Sequence, residues 1–300
     1  MSIIGRHRGE GAVSAIAALT IGVCLLAVGA AWFAPLALGG HARPAVASPQ
    51  SYYLALGDSV AYGVQPAKMS AGLPPSGFNT GYVDVFATRL RTIAPEIQVV
   101  NYSCPGETTK TFVAGGCSGR RDVKGLHNSF KGAQLDAALA FLRAHPGQVS
   151  PITLTLWGND FVEIADACKG DLACVQARAP RAFAQLGSRL ASIVKRLRAA
   201  APDAVIILTG AWNFIVDDLE HTDPLIRSVD ATVARSAAAG KARFARTLPV
   251  FNPQGSIAHE KARVCALTFI CSKDDVHPTD AGYRAIDAAV WAASGYPSRA

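Results

Sequence analysis

From Ser51 onward, short β-rich runs alternate with longer stretches of helical periodicity, and this alternation restricts the fold more than any other feature of the chain. Strand candidates are residues 52–56, 97–102, 152–157 and 205–209, with Val250 and Phe251 marking a short last one. Helical spacing of apolar residues predicts helices over 83–93, 133–143, 179–200, 224–239 and 279–293. Strands separated by helices of this length build βαβ units. The expected class is therefore α/β, a mostly parallel five-stranded sheet with helices on both faces. Ligands of such sheets bind outside the carboxyl ends of the strands. No internal repeat is visible, so one domain over 51–296 is expected, joined by a short linker at 48–50.

The N-terminus stands outside this pattern. Arg6, His7 and Arg8 precede a charge-free run over 11–40, and Ala45-Val46-Ala47 offers a small-x-small cleavage site before Ser48. Residues 1–47 read either as an export signal or as an uncleaved membrane anchor with its arginines inside. The length of the run favours the anchor, and Ala45-Val46-Ala47 favours cleavage. Lipidation of Cys24 is disfavoured, because Val23 stands where a lipobox wants a small residue. In either case the bulk of the chain is extracytoplasmic, secreted or anchored through 11–40.

The cysteines agree. Apart from Cys24, the six others fall into three close pairs, Cys104/Cys117, Cys168/Cys174 and Cys265/Cys271. An even count at short spacings suggests disulfides in an oxidising compartment. Six cysteines allow fifteen pairings, of which proximity favours the local set. No Cys-x-x-Cys or Cys/His spacing supports zinc, so neither metal nor cofactor is expected. The net charge of +7 comes from 29 basic and 22 acidic residues. No basic run reaches the length of a nucleic-acid patch, and Lys195-Arg196-Leu197-Arg198 has the spacing of a solvated helix face, so nucleic acid is excluded as a partner.

Four short motifs carry the chemistry. They are Gly57-Asp58-Ser59, Gly106 within Cys104-Pro105-Gly106-Glu107-Thr108, Gly158-Asn159-Asp160, and Asp274-Asp275-Val276-His277-Pro278. Ser59 and Asn159 fall just after strand candidates, and Gly106 a few residues after another, so three motifs converge on one sheet edge. Ser59 is the candidate nucleophile, and serine needs a base to act near neutral pH. Position 61 is Ala, so this is not the Gly-x-Ser-x-Gly elbow of α/β-hydrolases. Capping of the following helix is the competing role for Ser59. His277 is the candidate base, with Asp274 favoured and Asp275 the alternative as its orienting carboxylate. Among the remaining histidines of the exported part, only His221, after Asp217 and Asp218, has comparable neighbours. Gly106 offers a backbone N–H and Asn159 a side-chain NH₂ to a developing oxyanion; for either one alone, turn chemistry is the preferred explanation.

Taken together, Gly57-Asp58-Ser59, Gly106, Gly158-Asn159-Asp160 and Asp274-x-x-His277-Pro278 resemble the blocks of the SGNH (GDSL-type) hydrolase superfamily over about residues 52–283. Its secreted bacterial esterases and lipases are the most similar branch. The resemblance implies a three-layer α/β/α, flavodoxin-like fold and metal-independent ester hydrolysis. It implies Ser59, His277 and Asp274 as the triad, and the Ser59 N–H, Gly106 and Asn159 as the oxyanion hole. Some members of that branch use a Ser/His dyad. Phe112, Trp157, Phe161, Trp212 and Phe214 are candidates for an apolar acyl pocket, or for plain core. The Pro- and Gly-rich stretch 65–80 reads as a mobile loop beside Ser59. The expected enzyme is a monomeric esterase or lipase acting on small-molecule, lipid or glycan esters. The alternative is a carbohydrate O-acetyl esterase. Two further readings, an envelope-binding module on a hydrolase scaffold and metal-dependent hydrolysis through Asp58, Asp160 and Asp274, are weaker.

Overall fold

A run of buried residues from Tyr53 to Gly57 forms the first strand, and burial on both sides puts it in the middle of the sheet. The computed structural model describes residues 48–297, which belong to one compact unit. In chain order the first half contains β1 (Tyr52–Gly57), α1 (Ser59–Tyr62), α2 (Pro66–Ser70), α3 (Tyr82–Arg91), β2 (Gln98–Asn101), α4 (Thr109–Ala114) and α5 (Gln134–Ala144). β3 (Val149–Thr155), α6 (Gly158–Ala167), α7 (Leu172–Ala200), β4 (Ile206–Thr209) and α8 (Leu219–Ala239) follow. The chain closes with β5 (Arg243–Ala245), α9 (Leu248–Phe251), α10 (Ile257–Leu267), α11 (Ile270–Lys273) and α12 (Asp280–Ser294).

The five strands pair in the order β2-β1-β3-β4-β5, every pair parallel. This is the flavodoxin-like doubly wound order, whose switch point lies between β1 and β3. β3 and β4 are buried at every position, while the edge strands β2 and β5 are half-buried. Leu54 lies opposite Val100 on one side and Ile152 on the other, which continues the core across the sheet. α8 and α12 both pack on β4 and β5 from opposite faces. α3 and α10 join α12, whereas α4, α5 and α6 gather with α8 around α7. The three-layer arrangement is thus the expected one.

Four local boundaries differ from the sequence reading. The last strand is Arg243–Ala245, and Val250 and Phe251 belong to the helical turn α9. Pro249 sits in that turn's first positions, where its missing N–H costs nothing. A three-residue strand holding an arginine leaves no alternation to read. α7 starts well before residue 179, at Leu172, because the Asp171 side chain caps it by accepting from Cys174 N–H (2.6 Å). α8 likewise starts at Leu219 and carries Pro224 inside it. Residues 65–80 contain regular structure: they form α2 and a 3₁₀ turn, and Phe78 is buried in a second small apolar cluster with Tyr62, Val64, Cys104 and Leu126.

Disulfides join Cys104–Cys117, Cys168–Cys174 and Cys265–Cys271, with Cα atoms 6.4, 5.6 and 5.3 Å apart. The reading of residues 1–47 as export signal or anchor, including Cys24 and Ala45-Val46-Ala47, lies outside the described residues. Among the described residues no helix is long and apolar enough to cross a membrane.

Candidate active site

The nucleophile motif closes β1. Gly57 has φ +132°, and a Cβ there would run into the Thr155 carbonyl of β3, so glycine alone allows the two strand ends to approach. Gln134 straps the turn from below: Gly57 N–H donates to its Oε1 (2.7 Å), and its Nε2 donates to Gly57 O (3.0 Å). The same Nε2 donates to Glu107 Oε2 (2.9 Å), tying the Gly106 loop to the same turn. Asp58 N-caps α1, accepting from Val60 N–H at 2.9 Å. The cap on α1 is therefore Asp58, and Ser59 is the first helical residue. Val60, Ala61 and Tyr62 are buried, which leaves Ser59 as the half-buried member of that short helix.

The base motif occupies the loop between α11 and α12. Its backbone is fixed by an antiparallel bridge between Thr268 and Pro278, with Phe269 N–H donating to His277 O (3.0 Å) and Thr279 N–H to Leu267 O (2.9 Å). The Cys265–Cys271 disulfide brackets the strand-like side of this bridge. His277 Nδ1 donates to Asp275 Oδ1 at 2.7 Å, and His277 N–H donates to the same oxygen at 2.9 Å. This leaves Nε2 as the nitrogen available to a reacting group. Burial pushes the Asp275 carboxyl up, but the hydrogen bond and charge of His277 outweigh it and hold the group below its ordinary range.

The carboxylate bonded to the His277 ring is thus Asp275, the alternative partner, and not the favoured Asp274. Asp274 adopts the left-handed conformation (φ 52°, ψ 42°) as C-cap of α11 and is exposed. Its backbone turns there, so a carboxylate three residues before His277 leaves the ring, while one two residues before folds back onto it. His221 does pair with Asp218 (2.6 Å), but on the exposed surface of α8, and it does not line the cavity that holds His277.

Ser59, Asn159 and His277 line one cavity of about 50 Å³ at the carboxyl ends of β1 and β3, together with Trp157, Trp212 and Phe214. This is the crevice that the switch point of the sheet creates. Ser59 Oγ and His277 Nε2 share its wall and make no hydrogen bond to each other or to another described residue. Asn159 opens α6, and its Nδ2 donates to Glu107 O at 3.0 Å. That bond draws the Gly106 turn against α6. Gly106 has φ +75°, its Cβ position falls 2.6 Å from Ser118 Oγ, and its N–H donates to no described residue. Gly106 itself does not line the cavity; it stands one residue before the carbonyl held by Asn159.

Of the five aromatic candidates, Trp157, Trp212 and Phe214 line the cavity, while Phe112 and Phe161 belong to the core behind it. Asp160 ties α6 to its neighbours. It accepts from Thr109 N–H (2.7 Å) and Thr109 Oγ1 (2.5 Å), and pairs with Arg189 at 3.2 Å. Sequence reasoning did not single out Asp58 as part of the wall, although it sits inside the nucleophile motif. Its carboxyl is 3% exposed, and burial pushes its pKa up to about 7 against the opposing Val60 hydrogen bond and the His277 charge. Gln134 was also missed, since a lone glutamine in a helix carries no signal. Cys104, Glu107 and Cys117 bring ligand-type atoms within 4.8 Å of one another, but both sulfurs are consumed in a disulfide, which leaves a single carboxylate.

A doubly wound sheet whose switch point gathers serine, histidine and an amide side chain defines an α/β ester hydrolase. The chain belongs to the GDSL-like lipase/acylhydrolase family, whose model matches residues 55–285. It is thus a carboxylic ester hydrolase with the fold anticipated from its motifs. No curated protein sequence matches it. Among solved structures, the extracellular lipase from Streptomyces rimosus is similar at 17% identity and TM-score 0.56, covering 81% of this chain and 99% of that one. Phospholipase A1 from Streptomyces albidoflavus NA297 follows at 17% identity, TM-score 0.55 and the same two coverages. Axe2, an acetylxylan esterase from Geobacillus stearothermophilus, has 18% identity and TM-score 0.52, covering 85% of this chain and 99% of that one.

Proposed function

We propose that this chain is an extracytoplasmic, metal-independent serine esterase, with Ser59 as nucleophile, His277 as base and Asp275 as the carboxylate that orients the ring. The observation that carries this reading is the cavity shared by Ser59 and His277, with the far ring nitrogen already held by Asp275 at 2.7 Å. Ser59 Oγ attacks the acyl carbon as its proton passes to His277 Nε2. The carbonyl electron pair moves onto oxygen, which receives hydrogen bonds from the Ser59 N–H and Asn159 Nδ2, and from the Gly106 N–H of the turn that Asn159 holds beside the cavity. Collapse expels the alcohol, which takes the proton from His277. Water then repeats the sequence, releases the carboxylic acid and restores Ser59.

Three disulfides support a working place outside the cytoplasm. Residues 1–47 deliver the chain there, as a cleaved signal or a retained anchor, and 51–296 is the catalytic domain. The site is complete within one chain, which supports a monomer. Ser59→Ala and His277→Ala are each expected to lower kcat on p-nitrophenyl acetate by about 10⁴- to 10⁶-fold while far-UV circular dichroism is retained. Normal turnover by folded Ser59→Ala removes the proposal. A narrower reading, action on O-acetyl groups of polysaccharides, is favoured by the small volume of the cavity, whose consequence is developed next.

A further inference from the structure

We propose that the acyl side of this site is a short, rigid aromatic pocket that accepts acyl groups of two to about four carbons and turns away long chains. This rests on the hydrolase reading above. The pocket is bounded by Trp157, Trp212 and Phe214, with Val60, Val162 and Val276 between them. All six are apolar at the contact surface, so an acyl chain rather than a polar alcohol belongs here. The space is about 50 Å³. By the same measure the groove between α7 and α8 is about 810 Å³, so the space beside Ser59 is small and suits a short acyl chain.

The aromatic wall cannot retreat, because it is packed and hydrogen-bonded from behind. Trp157 and Trp212 are each 2% exposed and meet edge to face at 5.2 Å between centroids. Trp212 stacks on Phe251 at 4.8 Å, and Phe214 leans on Phe161 at 6.2 Å. The loop after β4 that carries Trp212 and Phe214 is clamped from three directions. Ala211 N–H donates to Asp230 on α8 (2.8 Å), and Asn213 N–H donates to Asn252 after α9 (2.7 Å). Asn213 Nδ2 donates to Thr222 (2.9 Å) and Asp223 (2.8 Å) at the start of α8. Asn252 Nδ2 returns a bond to Asn213 O (3.0 Å). Each of these bonds is buried or partly buried, so opening the wall leaves backbone groups unpaired.

Two larger grooves open elsewhere on the molecule and do not reach Ser59. The groove between α7 and α8, about 810 Å³, contains none of the site residues. The groove between α6 and α7 reaches Asp160 but not Ser59 or His277. The esters this site takes are therefore acetyl, propionyl and butyryl esters, with the alcohol part on the open side.

The test is a p-nitrophenyl ester series from acetate to palmitate on the full chain, with Ser59 titrated by ethyl and dodecyl fluorophosphonates. The expected result is kcat/KM highest at two to four carbons and at least 100-fold lower at octanoate, with the ethyl probe labelling far faster than the dodecyl one. Phe214 is only half-buried, and Phe214→Ala is expected to raise the octanoate-to-acetate ratio at least tenfold. Where that variant fails to fold, the wild-type series and the two probes decide alone. Octanoate turned over within tenfold of acetate, or equal labelling by both probes, overturns the short pocket and leaves the hydrolase reading standing. No turnover of any ester together with no labelling of Ser59 overturns the hydrolase reading itself.

Discussion

The two adjacent carboxylates before His277 are placed differently, and backbone conformation decides which of them reaches the ring. Asp275 folds onto the ring, and Asp274 spends its backbone on an αL cap. Asp275→Ala is expected to lower kcat by about 10²- to 10⁴-fold, as loss of an orienting carboxylate does elsewhere. Asp274→Ala is expected to change kcat less than threefold. Asp274→Gly should raise stability by about 1 kcal/mol, since glycine relieves the positive φ. Steady-state kinetics and urea melts on the three variants check this, and a large kcat loss confined to Asp274→Ala would falsify the reassignment. Asp58 supplies a second prediction. Its folded pKa of about 7 lies above the roughly 3.9 of an unfolded aspartate, so the folded chain holds this proton more tightly. Stability from this group is therefore full below about pH 4 and is lost as pH rises toward 7, by on the order of a few kcal/mol. Asp58→Asn still accepts from Val60 N–H but does not ionise. Thermal melts from pH 4 to 8 should show wild type losing more than the variant; parallel curves would count against it.

At the scale of elements, the sequence was most legible where burial is two-sided. β1, β3 and β4 are buried almost throughout and rich in β-branched and aromatic residues, and the ends of β1 and β3 located Ser59 and Asn159 without knowledge of the packing. It was least legible where a long-range contact sets a boundary. α7 extends past Pro180 because Asp171 and the Cys168–Cys174 disulfide hold its first turns, and neither effect appears in residue periodicity. β5 is a strand because β4 lies beside it at Ile207↔Arg243 and Leu208↔Phe244. The choice between Asp274 and Asp275 was hidden for the same reason, since an αL residue other than glycine leaves no mark in sequence. The Pro- and Gly-rich composition of 65–80 suggested a loose loop, but Phe78 and Val64 pack it down, and the Gln65–Asp280 hydrogen bond (2.7 Å) fastens it to α12. The Cys104–Cys117 disulfide is the clearest element-level target, because it closes the loop that carries Gly106. Its double serine variant should lose about 2–3 kcal/mol in chemical denaturation. It should also lose more in kcat than in KM, because the Gly106 N–H then wanders.

At the scale of the molecule, the proposed chemistry uses side chains and backbone N–H groups and no bound ion. Incubation with excess chelator is expected to leave ester turnover within about 20% of its starting rate at fixed pH, and a loss restored by added metal would contradict the proposal. The net charge of +7 is spread along the chain, so rates on neutral esters should depend little on ionic strength.

Part of the Ser59 cavity comes from the turn and short helix after the first strand, and part from the loop before the final helix. A nascent or nicked chain that lacks either end possesses half a crevice. Recovery of turnover during refolding is accordingly a clock for completed assembly rather than for early collapse, and any fragment that retains only the amino-terminal strand and its neighbours should be catalytically silent however well it folds.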